Sequence, residues 1–181
     1  MSHTTVKLST GTIDIFDGVV PMYKMTKTYN HLTGPCSWHI GWSDRTDTDP
    51  NLYCEIHDDW VFELIEPLAQ VPHYMERMEG MGCNRVVGNL SHASSVHYTH
   101  THPNESLVLL YYANRQWEEH WEGETMFFAE NGEVEYTNKY TPGRILLFDA
   151  TMPHTIRAQS PAGPPFRFSM SYFWSPHEPA V

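Results

Sequence analysis

The hydrophobic rhythm of the chain changes near its middle. Before that point, residues 13–16 (Ile-Asp-Ile-Phe) predict a short strand. Asp17 stands where it can cap a helix that begins near Pro21, since a first-turn proline is tolerated. That helix runs to about Leu32 and stops at Gly34-Pro35. Residues 38–42 alternate and predict a second strand. Residues 60–78 carry Phe62, Leu64, Ile65 and Leu68 near helical spacing, although Pro67 and Pro72 interrupt the pattern; Gly80 and Gly82 end it. From Asn84 onward the period is that of strands. Residues 85–90, 96–102, 107–112, 125–129, 134–137, 145–148 and 166–174 each fit one. The 107–112 run, Leu-Val-Leu-Leu-Tyr-Tyr, is apolar without a break, as a strand buried on both faces requires. Asn131-Gly132 marks a hairpin and Pro142-Gly143 another turn. Seven or eight short strands behind two helices predict a mainly β fold. Its core is a double-stranded β-helix (jelly roll, cupin-like), with N-terminal helices packed on one face. The expectation is a single domain over 1–181. Its helical part spans about 1–83, and the jelly-roll core with the site spans about 84–175.

Composition narrows the function. The 181 residues hold 22 Asp and Glu against 11 Lys and Arg, a formal charge of −11. A nucleic-acid partner needs clustered cations and is excluded by that balance. No stretch approaches the roughly 20 apolar residues of a membrane span. The first residues form no apolar run, so no signal peptide is expected. Cys36, Cys54 and Cys83 are odd in number and lack metal-type spacing, which predicts reduced thiols and a cytoplasmic protein.

The candidate chemistry centres on His100-Thr101-His102. In the expected strand 96–102 these two imidazoles point the same way. His154 follows Pro153 at the end of the buried run 144–149 and brings a third imidazole from another strand. Three ligands on one side of an ion leave the other side open, the arrangement of non-haem Fe(II) oxygenases. Because the chain holds 12 His, proximity alone decides little. Glu105 on the following loop and His97 in a shifted register are alternative ligands. Arg167 and Ser169, two residues apart, share a strand face. A guanidinium is the natural bidentate partner of a buried carboxylate, although an exposed strand arginine is the competing reading. Arg157, three residues after His154, is a second cation and a substrate-side candidate. Glu118, Glu119, Glu122 and Glu124 read as a solvated acidic loop.

In order, several segments resemble the 2-oxoglutarate- and Fe(II)-dependent dioxygenases of the prolyl 4-hydroxylase-like superfamily, over roughly residues 84–174. Asn89 stands ahead of the histidine pair as an Asn does in that family. Leu109-Leu110-Tyr111-Tyr112-Ala113-Asn114 is similar to its strand after the first ligands, and Trp121-Glu122-Gly123-Glu124-Thr125 to its Trp-Gly-Gly-Glu-Thr turn. Residues 142–149 with Pro153-His154 resemble the strand and turn of its distal histidine. Arg167-Phe168-Ser169 resembles the Arg-x-Ser that binds the C5 carboxylate of 2-oxoglutarate.

The resemblance implies Fe(II) on His100, His102 and His154, with 2-oxoglutarate held by Arg167, Ser169 and the Tyr112 hydroxyl. It further implies O₂ as co-substrate and ascorbate as a candidate accessory reductant. The reaction would couple decarboxylation of 2-oxoglutarate to hydroxylation of a protein or peptide residue, proline among the candidates, or of a small molecule. One departure stands out: the family has His-x-Asp, and His102 occupies the Asp position. Losing that anion weakens Fe(II) binding and shifts its potential. Two further readings follow from His102. One is a three-histidine cupin-like iron dioxygenase without 2-oxoglutarate, against which Arg167 and Ser169 argue. The other is a non-catalytic jelly-roll binding module.

Overall fold

The layering of the fold can be read from one strand, β6 (Leu107–Tyr112), whose six residues are all buried. In the computed structural model, which describes residues 1–42 and 51–177, its two faces serve different cores. Leu107, Leu109 and Tyr111 pack with Leu32 of helix α1 (Met22–Thr33), Leu64 of α2 (Trp60–Ile65) and Tyr74 of α3 (Pro72–Arg77). Val108, Leu110 and Tyr112 pack with Phe127 and Phe148 inside the jelly roll. Alternation along a strand puts neighbours on opposite faces, so an unbroken apolar run is stable only when both faces are covered. Leu109 is fully buried. Leu109→Ala is expected to cost about 2–5 kcal/mol in urea unfolding with an unchanged slope. A cost below about 1 kcal/mol would mean that the helical layer closes over the gap.

The strands preceding β6 are β1 (Ser2–Leu8), β2 (Gly11–Asp17), β3 (His39–Trp42), β4 (Asn51–Glu55) and β5 (Met81–Ser91). Those following it are β7 (Thr125–Phe128), β8 (Val134–Asn138), β9 (Ile145–Asp149), β10 (His154–Ile156) and β11 (Arg167–Pro176). Among the described residues they form two antiparallel sheets, ordered β1-β2-β9-β6-β11-β5-β4-β3 and β10-β7-β8. The fold is the expected jelly roll, with the helices on the outer face of the larger sheet. Central β11 pairs with both β6 and β5, placing Ser169 opposite Tyr112 on one side and Asn89 on the other.

Several expectations need correction. The segment before Asn84 is not mainly helical; it supplies β1–β4 to the larger sheet. β1 escapes a hydrophobicity reading because it is an edge strand with mostly exposed residues. The 60–78 helix is broken at its prolines into α2, a 3₁₀ turn (Glu66–Gln70) and α3, with Pro67 and Pro72 each in the first turn of the next piece. Asp17 does not cap α1. Its carboxylate instead accepts two hydrogen bonds from Arg144, both at 2.8 Å. Residues 96–102 form no strand.

The cysteine reading also changes. Cys36, just beyond α1, and Cys54 on β4 form a disulfide, while Cys83 is a free thiol. The docking of the helical layer on the sheet brings together two residues 18 apart, which linear spacing does not encode. The premise for a reducing, cytoplasmic setting therefore falls away. No helix among the described residues is long and apolar enough to cross a membrane.

Candidate metal centre

His100, His102 and His154 meet because two short extended segments lie side by side. His154 opens β10, which pairs with β7. The backbone N–H of His100 donates to the His154 carbonyl and the N–H of His154 to the His100 carbonyl, both at 3.0 Å. The His102 N–H donates to the Ala150 carbonyl at 2.8 Å. These contacts make one isolated bridge rather than a ladder, so the segment carrying the His-x-His pair is extended without being a strand. The alignment is nevertheless sufficient. Ring centroids lie 4.5 Å apart for His100–His154, 5.0 Å for His100–His102 and 5.2 Å for His102–His154. One ring nitrogen from each lies within 4.8 Å of the others.

The backbone also sets the tautomers. Nδ1 of His100 lies 3.0 Å from the Tyr98 carbonyl, and Nδ1 of His154 lies 2.8 Å from the Met152 carbonyl. A carbonyl only accepts, so Nδ1 carries the proton and the lone pair lies on Nε2. Burial, reinforced by His100 and Arg85, pushes the His102 imidazolium down to about 3. Burial, with His100 and His102, holds His154 well below its ordinary range. Neutral imidazole is the form that binds metal, and a set of imidazoles suits iron, zinc, copper or nickel.

The same cavity reaches Asn89, Thr125, Arg167 and Ser169. Arg167 is 1% exposed. Its Nε donates to the Gly123 carbonyl at 2.9 Å and its Nη1 to Ser169 Oγ at 3.4 Å. The guanidinium carbon lies 4.8 Å from the Tyr140 ring and 5.5 Å from the Tyr112 ring. Nη2 is buried and has no hydrogen-bond partner among the described residues. A buried guanidinium with an unsatisfied N–H, lining a cavity, fits an anionic ligand such as the distal carboxylate of a diacid.

Arg167 is held from beneath by the 121–124 turn. Gly123 adopts φ +82°, and a Cβ there would stand 2.9 Å from Trp117 Cζ2 and 3.3 Å from Arg167 Cδ. Trp117 Nε1 donates to the Glu122 carbonyl at 2.8 Å, which fixes the indole in that position. Gly123→Ala is expected to cost about 1–3 kcal/mol from crowding and the left-handed backbone. Thermal unfolding checks this; an unchanged midpoint would show that the turn yields without strain.

The remaining sequence candidates are placed as follows. The Tyr112 hydroxyl donates to Thr125 Oγ1 at 2.8 Å and accepts from Asn138 Nδ2 at 2.9 Å; Thr125 lines the cavity, whereas Tyr112 does not. Glu105 accepts from Arg85 Nη2 at 3.1 Å and lies outside the histidine cluster. His97 lines the cavity without joining the cluster. Arg157 does not line it; it pairs with Glu122 at 2.6 Å and Glu124 at 3.9 Å, so part of the acidic loop is neutralised. Sequence reasoning missed Tyr140, whose ring flanks Arg167 and whose hydroxyl donates to the Phe168 carbonyl at 2.6 Å. It also missed Trp117. Neither stands in a recognisable motif, so no local signal marked them.

No protein-family model matches this chain, and no curated protein matches it by sequence. Solved structures do match. A prolyl hydroxylase from Trichoplax adhaerens, in complex with a hypoxia-inducible-factor peptide, aligns with a TM-score of 0.68 at 17% identity, covering 90% of this chain and 82% of that one. A Pseudomonas putida prolyl 4-hydroxylase aligns with a TM-score of 0.68 at 13% identity, covering 91% and 93%. HygX from Streptomyces hygroscopicus, with nickel and 2-oxoglutarate bound, aligns with a TM-score of 0.68 at 9% identity, covering 93% and 84%. The chain therefore has the prolyl 4-hydroxylase-like fold of the 2-oxoglutarate- and Fe(II)-dependent oxygenases.

Proposed function

We propose that the protein is a non-haem iron dioxygenase that couples decarboxylation of 2-oxoglutarate to hydroxylation of an aliphatic carbon. The observation that carries this reading is the unsatisfied Nη2 of buried Arg167, in the cavity that also holds His100, His102 and His154. Fe(II), held by His100, His102 and His154, would supply the activation of O₂, with 2-oxoglutarate as the reductant that is decarboxylated to succinate and ascorbate as a candidate accessory reductant only. The three imidazoles hold the ion through neutral nitrogen. Arg167 and Ser169 anchor the C5 carboxylate and so orient the other end of the diacid toward the histidines. Thr125, kept in place by the Tyr112 hydroxyl, offers a further polar contact on the same wall. Leu110, Phe148 and Phe173 form the apolar walls and limit water. Charge supports the pairing. Without the family aspartate, a divalent ion and Arg167 present three positive charges to a dianion, which strengthens co-substrate binding even as it weakens that of the metal.

The substrate is a peptide residue or a small molecule. The Trichoplax neighbour was captured with a peptide, which motivates the first class. The test is 2-oxoglutarate turnover by protein loaded with Fe(II). Succinate should appear in step with loss of 2-oxoglutarate, faster when a substrate is present. No succinate from protein carrying a full equivalent of iron would leave a three-histidine iron dioxygenase that does not use this co-substrate. No uptake of iron at all would leave a binding module.

A further inference from the structure

A second cluster of ligating side chains lies outside the cavity. Asp14 on β2 is completely buried. Its Oδ1 is 2.9 Å from His3 Nε2 on β1 and 3.0 Å from His73 Nε2 on α3. One donor atom from each residue lies within 4.8 Å of the others, and none of the three lines the cavity. We propose that His3, Asp14 and His73 form a second divalent-cation site, of the class that takes Zn²⁺, clamping the N-terminal hairpin to α3.

Three features favour an ion over a simple network of hydrogen bonds. The first is geometric. Ligands about 2.0–2.1 Å from a tetrahedral ion stand roughly 3.3 Å apart, so the two nitrogen–oxygen gaps need to open by only a few tenths of an ångström. The second is the state of His73. His3 and Asp14 make an aligned hydrogen bond, but His73 Nε2 does not. It is buried at 3.0 Å from the carboxylate and still has no hydrogen-bond partner among the described residues. An imidazole nitrogen pointed past a carboxylate oxygen at that distance is what a shared cation between them would produce. The third is the support around the ligands. Arg77 Nη1 holds the other carboxylate oxygen at 2.7 Å and its Nη2 holds Asp149, while Thr5 Oγ1 donates to Oδ1 at 2.6 Å. Burial raises the Asp14 carboxyl, but Thr5, Arg77 and His3 outweigh it and keep the group below its usual range, hence anionic. Such outer partners orient ligating carboxylates in metal sites. Glu76 Oε2, 3.8 Å from His73 Nδ1, attracts the proton that a metal-bound imidazole carries there.

The donor set matches a borderline ion. Two imidazoles and one carboxylate are a common three-ligand zinc arrangement, with water in the fourth position. The site joins the β1–β2 hairpin to α3. β1 is an edge strand paired only with β2, so a clamp to α3 holds the edge of the sheet.

The test counts ions with the cavity site silenced. Full-length protein should bind two equivalents of Zn²⁺ by calorimetry, and the His100→Ala/His154→Ala variant should retain one. Adding His73→Gln to that background should weaken the remaining site at least a hundredfold. Co²⁺ in the double variant should give strong visible absorption, which His3→Gln and His73→Gln each remove. His73→Gln alone should bind one equivalent and keep 2-oxoglutarate turnover, which separates this site from the cavity. A double variant that binds no Zn²⁺, or one equivalent indifferent to both His3→Gln and His73→Gln, overturns the proposal. If the double variant does not fold, the comparison becomes full-length protein against His3→Gln/His73→Gln. Two equivalents against one supports the site, and equal stoichiometry rejects it.

Discussion

Replacing Arg167 with methionine is expected to abolish 2-oxoglutarate turnover while leaving metal uptake intact. The guanidinium is 1% exposed and its Nη2 is unsatisfied among the described residues. A carboxylate meeting it would make a charge-assisted, fully desolvated pair, and truncating one side of such a pair costs about 2–5 kcal/mol. At about 1.4 kcal/mol per tenfold, the half-saturating concentration of 2-oxoglutarate should rise by roughly 30-fold to several thousandfold. Arg167→Lys should recover little. A lysine keeps the charge but cannot donate at once to Gly123, Ser169 and a carboxylate in a fixed plane. Stability should move the other way or not at all. In the ligand-free protein a buried charge with an unsatisfied donor is a cost, so the methionine variant should unfold no earlier than the parent. Normal 2-oxoglutarate affinity in the methionine variant would show that Arg167 is a packing residue, and the proposed co-substrate would lose its anchor.

Exchanging ligands at the histidine cluster should change iron affinity in opposite directions. His154→Ala removes the imidazole whose Nδ1 is locked to the Met152 carbonyl. Altering the partner of a ligand already costs about 10–100-fold in affinity, so deleting the ligand should cost at least the upper figure. His102→Asp restores the carboxylate that the resembling family carries. Iron titration should show binding about tenfold tighter than in the parent, because an anion replaces a neutral donor beside a divalent ion. The same variant without metal should be less stable, since burial that disfavours a charged His102 disfavours a charged aspartate too. Equal iron affinity in all three proteins would remove the cluster as the metal centre.

How far the sequence reached depended on the range of the interactions involved. β6 was legible because burial on both faces leaves an unbroken apolar run, and the 145–149 and 167–176 strands were legible for related reasons. The Asn-Gly and Pro-Gly turns were legible because their backbone angles demand particular residues. β1 was not, because an exposed edge strand needs no apolar residues; its backbone pairs with β2 alone. The 96–102 segment illustrates the opposite failure. Its residues favour a strand, yet only one bridge to His154 forms. The prolines weakened the reading of one helix over 60–78, but its division into three pieces came only from the structure.

The ordered motifs, through the resemblance they carry, pointed without coordinates to a jelly roll and to His100, His102, His154, Arg167 and Ser169 as one candidate site, and the structure lines one cavity with all five. Only the tertiary structure decided that Glu105 turns to Arg85, that Arg157 answers the acidic loop, that Cys36 meets Cys54, and that His3 and His73 converge on Asp14. Each of those outcomes is a choice among partners far apart in the chain. Such choices are made by packing geometry and by the cost of burying an unpaired charge, and neither leaves a local trace in the order of residues.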